Sequence, residues 1–134
     1  MFVNYVWVYL ATLAAFLAID LTWLGVVARG LYRSQLGHLL SPNPNWPAAI
    51  LFYLMFVAGL LYFAVLPGAN AGSAGQALLR GALFGLIAYA TYDLTNLATV
   101  KDWPLAITVV DMLWGTGLAA AVSYAGFLAA GRFL

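Results

Sequence analysis

Apolar residues run on along this chain without alternating with polar ones. Four stretches, Val3–Val27, Pro47–Leu66, Ala77–Val100 and Trp103–Ala130, are each apolar over about the 20 residues that a helix needs to cross a bilayer. Backbone polar groups in hydrocarbon must be satisfied internally, which leaves helices or closed barrels, and no stretch shows the strict period of two of a barrel strand. The pattern predicts an all-α polytopic membrane protein, a four-transmembrane-helix bundle forming a single domain over residues 1–134. The first stretch lacks a basic leader and exceeds the length of a signal-peptide core, so it is expected to stay as a span.

The connections differ in kind. In Ala28–Trp46, Leu31, Tyr32, Leu36, Leu39 and Leu40 recur at helical spacing against Arg29, Arg33, Gln35 and His38, which predicts a short amphipathic helix in the interface. His38 reads as an ordinary surface residue. The run Ser41-Pro-Asn-Pro-Asn-Trp-Pro47 excludes helix until Pro47 opens the second span. Pro67–Gln76 is small and Gly-rich and reads as a flexible turn. Lys101-Asp-Trp-Pro104 must reverse the chain in a few residues, with Asp102 as N-cap of the fourth span. With four spans, three Lys/Arg residues (Arg29, Arg33, Lys101) lie on the long-loop face and two (Arg80, Arg132) on the terminal face. That bias puts the long loop in the cytoplasm. Tyr32, Trp46 and Trp103 are expected in the aromatic belt of that face.

Composition agrees with a lipid solvent: of 134 residues, 66% are hydrophobic and 7% charged. The formal net charge of +1 gives no reason to invoke nucleic acid. The absence of cysteine removes disulfides, thiolate nucleophiles and thiolate metal sites. No residue pattern calls for a cofactor or a resident metal, and the expected partners are membrane lipids and a small solute or cation.

Against this background three aspartates, Asp20, Asp93 and Asp111, stand inside apolar runs with no basic residue beside them. An ionised carboxylate in hydrocarbon costs several kcal/mol, so an embedded acid marks a protein interior or a wet cavity. Counted from Arg29, Lys101 and Asp102 at about 1.5 Å per residue, each acid lies about 12–14 Å inside the long-loop face. Three helices thus deliver acids to one level, which gluing helices together does not require: such a hydrogen bond returns about 0.6 kcal/mol, against an insertion cost of about 2.5–3.5 kcal/mol per acid.

Residues three or four apart extend the site. On the third span Gly81, Gly85, Tyr89, Asp93 and Asn96 align; on the fourth, Asp111, Gly115, Ala119 and Ser123; on the first, Thr12, Phe16, Asp20 and Trp23. Asp20, Asp93 and Asp111 are the expected proton or cation ligands, with Asn96 and Thr95 as neutral oxygens. Tyr89, Trp23, Trp114, Thr22 and Phe16 are expected to line the pocket. Gly81, Gly85, Gly115 and Ala119 should allow close helix packing, and such small-residue stripes could also build a homodimer. Asp20-Leu-Thr-Trp23 and Asp111-Met-Leu-Trp114 share a D-x-x-W spacing, which common aromatic packing would also produce. The second span has no acid or amide, only Tyr53 and Tyr62, and reads as a lipid-facing packing helix.

At Tyr89-Ala-Thr-Tyr-Asp93-Leu-Thr-Asn96-Leu-Ala-Thr-Val-Lys101-Asp-Trp-Pro104, at Asp111-Met-Leu-Trp-Gly115 and from Asp20-Leu-Thr-Trp-Leu-Gly25 onward, the chain closely resembles a bacterial family of predicted membrane proteins known as domain-of-unknown-function family 2177. The resemblance implies an inner-membrane protein and no settled activity. Pro42-Asn-Pro-Asn-Trp46-Pro47 leading to Tyr53 is similar to the first loop of the five-span tryptophan-rich sensory proteins, which bind tetrapyrroles.

Three functions compete. The leading one is proton- or cation-linked transport of a small solute, in which the acids titrate as a coupled unit. The second is a metal-dependent intramembrane enzyme acting on a lipid or phospholipid, with Arg29, Arg33 and Lys101 holding a phosphate. No D-x-x-D pair supports it. The third is a binding protein for a lipid or tetrapyrrole, walled by the aromatics.

Overall fold

The computed structural model describes residues 2–134. Helix α1 (Phe2–Thr22) runs into a π-helical turn at Trp23–Val27, and a short α2 (Arg29–Leu36) follows. Helix α3 (Trp46–Leu60) passes through a second π-helical turn, Leu61–Val65, into α4 (Leu66–Ala71); α5 (Ala74–Thr99) and α6 (Leu105–Phe133) complete the chain. Among the described residues there is no strand.

Local chemistry explains most of the boundaries. Asn45 caps α3, its Oδ1 accepting from the Ala48 N–H at 3.2 Å, with Pro47 in the first turn. Ser73 caps α5 through the Gln76 N–H at 3.2 Å. The chain reverses between α4 and α5 at Gly72, whose φ of 63° suits glycine. Pro67–Gln76 is therefore no extended flexible turn: helix continues to Ala71, and only Gly72 and Ser73 connect. Pro67 cannot donate a helical hydrogen bond, and the π-helical turn immediately before it absorbs the mismatch. Asp102 caps nothing. It sits at φ 59°, a conformation Asp tolerates better than most residues, while Pro104 occupies the N-cap of α6 with no side-chain bond.

Helix directions follow from which residues meet. Trp7 stacks near Phe133, Gly126 lies against Thr12, and Trp114 bonds Asp20, so α1 and α6 are antiparallel. Gly81 meets Ser123, Gly85 meets Ala119, and Tyr89 meets Gly115, so α5 and α6 are antiparallel too. Phe56 and Phe63 against Phe84, and Gly68 against Ala77, put α3 and α4 antiparallel to α5. The main core of Phe16, Phe56, Val57, Leu60, Leu118, Ala119 and Val122 fills the middle. A smaller cluster of Val8, Val65 and Ala130 seals the end that holds both termini.

A Cβ added at Gly85 would strike the Gly115 carbonyl and Ala119, and one added at Gly81 would strike Ser123. These small-residue stripes meet each other within the monomer, at the α5–α6 contact.

Leu51, Met55, Phe63, Ile87, Leu113 and many other large apolar side chains are exposed, as lipid contact requires. Three helical segments, Phe2–Val27, Trp46–Ala71 and Leu105–Phe133, are long and apolar enough to cross a membrane. Helix α5 matches them in length, with 26 residues, and is not among them. Its Gln76, Arg80, Asp93, Asn96 and three threonines make it the most polar of the long segments.

Candidate functional site

The core cluster stops short of the long-loop end, and above it the helices part around a cavity of about 460 Å³. Asp20 and Leu24 contribute from the first segment, Tyr32 and Leu36 from α2, and Phe52 and Tyr53 from α3. Tyr89, Tyr92 and Asp93 come from α5, Trp103 from the turn, and Ile107, Asp111 and Trp114 from α6. Beneath it the core begins with Phe16, whose ring packs 5.4 Å from that of Tyr53. Leu40 and Ala49 at the rim put the opening on the long-loop side.

All three embedded acids line this one cavity and are buried: Asp93 is 0% exposed, Asp20 5% and Asp111 9%. Their surroundings differ. Asp20 Oδ1 accepts from Trp114 Nε1 at 3.1 Å. Asp111 Oδ1 accepts from the Tyr32 hydroxyl at 2.6 Å, and that hydroxyl accepts in turn from Trp23 Nε1 at 3.3 Å. The two indoles stack face to face, 4.2 Å apart and 7° from parallel. The two D-x-x-W segments therefore complete each other: on antiparallel helices, each indole serves the acid of the other helix, Trp114 directly and Trp23 through Tyr32.

Asp93 is the exception. Neither of its carboxyl oxygens has a hydrogen-bond partner. It faces the carboxyl of Asp111. Two carboxyls can bond each other only if one carries a proton. No lysine, arginine or histidine among the described residues lines the cavity to neutralise it. The acids do not close on a single point, because no group of three described His, Cys, Asp or Glu side chains could hold one metal ion.

Burial, then the hydrogen bond it donates to Asp111, push the Tyr32 hydroxyl above its ordinary pKa. It therefore remains a donor at every physiological pH. Tyr32→Phe should leave the partly buried Trp23 Nε1 and Asp111 Oδ1 without partners and lower stability by about 1–3 kcal/mol, read from thermal unfolding in detergent. An unchanged midpoint would remove Tyr32 from the network.

Several expected site residues lie elsewhere. Thr95 is exposed and turns its hydroxyl to the carbonyls of Thr91 and Tyr92 on its own helix. Thr22 is likewise exposed and bonds the Ala18 carbonyl at 2.6 Å. Neither lines the cavity. Asn96 lies beside Tyr92, outside the cavity lining. Phe16 lies beneath the cavity and Trp23 behind Trp114; neither lines it. Tyr89 and Trp114 line it directly.

Five lining aromatics, Tyr32, Phe52, Tyr53, Tyr92 and Trp103, lie outside the expected site set. Tyr32 and Trp103 were placed in the interfacial belt, and Tyr53 on a lipid-facing helix. Tyr92, adjacent to Asp93, meets the Trp103 ring edge-on at 5.7 Å near the mouth. For Tyr32 the available signal was its spacing of four from Leu36, the buried residue of α2.

No curated protein and no solved structure matches this chain. The family model described as predicted membrane protein (DUF2177) matches residues 5–128, which with the three apolar helices makes the chain an integral membrane protein belonging to that family.

Proposed function

We propose that this protein is a bacterial inner-membrane transporter in which the Asp93–Asp111 pair exchanges a proton for a small cationic solute. The observation that carries the reading is Asp93 itself. A fully buried carboxyl without a donor, facing a second carboxyl in a cavity free of basic residues, stabilises no packing and is useful only when something positive arrives. The aromatic and aliphatic core beneath the cavity separates it from the terminal face. A one-sided pocket over a packed plug corresponds to one end state of alternating access.

In this reading α5 is the fourth span. Its outward Leu79, Leu83, Leu86, Ile87 and Leu94 are exposed to lipid while Asp93 points inward, so overall polarity understates its fitness for the bilayer. The long-loop face, with Arg29, Arg33 and Lys101, is cytoplasmic. The metal-dependent enzyme reading loses ground because the acids share no metal point. A neutral-hydrophobe pocket draws support from the apolar walls alone and requires no acid.

The test is proton movement in liposomes loaded with a pH-sensitive dye. Adding sodium, potassium or an organic ammonium salt outside should release protons through wild-type protein, and Asp93→Asn, which preserves shape, should be silent. Release equal to that of empty liposomes for every cation, or undiminished release by Asp93→Asn, would end the transport reading.

A further inference from the structure

We infer that the cavity takes a monovalent organic cation with an apolar body, a quaternary or protonated amine. This rests on the acid pair being the exchange site proposed above, and names the ligand class it serves.

Charge comes first. Three carboxyls and no basic side chain among the described residues give the cavity a negative field at low dielectric, where the ligand must supply the opposite charge. Size comes second. A dehydrated inorganic ion occupies about the share of one water, about 30 Å³, whereas about 460 Å³ lies in the range of pockets that enclose organic ligands. The acids, moreover, offer no common metal point. The walls come third. Tyr53, Tyr89, Tyr92, Trp103 and Trp114 surround the acids with aromatic side chains, the surfaces that attract alkylammonium groups while also covering an apolar body. A neutral hydrophobe would leave the buried Asp93 unpartnered, and a hydrated metal ion would waste the aromatic walls.

Proton coupling follows from the same layout. The groups facing the Asp93–Asp111 pair are Asp20 from α1, Tyr32 from α2, Tyr53 from α3, and Tyr89 and Tyr92 from α5. None is basic. An entering monovalent cation therefore keeps the charge of the cavity constant by displacing one proton from the pair to bulk water. Protons and cation compete, so affinity should rise with pH.

The probe is benzyltrimethylammonium, with its neutral isostere neopentylbenzene, added to the full chain in nanodiscs; empty nanodiscs correct for partition. Tryptophan fluorescence reads binding, and calorimetry in buffers of different ionisation enthalpy reads protons. We expect saturable cation binding with about one proton released, Kd falling about tenfold per pH unit while the pair holds its proton, and binding of the neutral isostere at least tenfold weaker. Tyr53→Leu should weaken the cation about tenfold, and Tyr53→Phe should restore it. Equal affinity for the neutral isostere, or binding without proton release, would overturn the ligand class. Cation binding with proton release but no proton movement in liposomes would uphold the ligand class and end the transport reading. Sodium-driven proton movement without benzyltrimethylammonium binding would do the reverse.

Discussion

Gly85→Leu should unfold the protein at a markedly lower temperature in detergent, while Gly117→Leu, on the exposed face of α6, should leave the midpoint where it is. Both substitutions add the same side chain to a helix interior. At Gly85 the new Cβ meets the Gly115 carbonyl and Ala119, and backbone cannot rotate away as a side chain can. At Gly117 nothing lies within 4 Å. Overpacking costs about 1–3 kcal/mol where side chains can adjust, and a clash with a backbone carbonyl belongs at or above the upper end. The damage should reach the site, because separating α5 from α6 separates Asp93 from Asp111. Equal midpoints for the two variants would mean that the helices do not pack as closely as Gly81, Gly85 and Gly115 indicate.

Trp114 carries the second large effect, because one side chain does two things. Its ring stacks on Trp23, and its Nε1 donates to Asp20. Trp114→Ala removes both and should cost about 3–5 kcal/mol, as for other large aromatic truncations. Trp114→Phe keeps most of the stack and loses the donor, leaving Asp20 Oδ1 unpartnered, for about 1–3 kcal/mol. The two contributions separate in a double-mutant cycle. In an Asp20→Leu background no acid needs the donor, so Trp114→Phe should cost much less there than in wild type. Equal costs in both backgrounds would show that the indole acts through packing alone.

The acids were legible in the sequence because a charge inside an apolar run violates the composition around it, and the violation survives any error in helix ends. Their assigned companions fared unevenly, for geometric reasons. Thr95 is two residues from Asp93, and Thr22 two from Asp20; at about 100° per residue, two positions lie about 200° around the helix, on its far side. Phe16 shares a face with Asp20 but stands one turn deeper, where the core closes. The second span carries no acid or amide to mark it, and what that helix brings to the cavity through Tyr53 is ring surface, which an apolar pattern does not distinguish from lipid contact. Tyr32 could not be placed by periodicity at all. Its bond to Asp111 spans 79 positions in sequence and depends on how α2 leaves the first segment. The apolar pattern located the long segments to within a few residues, but missed α4, since a proline in a Gly-rich stretch ordinarily ends a helix.

The π-helical turn at Trp23–Val27, closed by the Ala28 N–H to the Trp23 carbonyl at 2.8 Å, has the arithmetic of an insertion. It holds one more residue than an α-turn, and one residue is about 100° of phase. Upstream, the phase of α1 is fixed by Asp20, Phe16 and Thr12 packing inward. Downstream, α2 starts from a heading that the extra residue has set, and on that heading Tyr32 meets Asp111. The site is thus sensitive to length as well as identity. Each residue from Leu24 to Val27 could be exchanged for another apolar one with the heading kept, whereas losing any single one would restore an ordinary turn and swing the tyrosine off its acid. Chain count in those five positions is part of the binding chemistry.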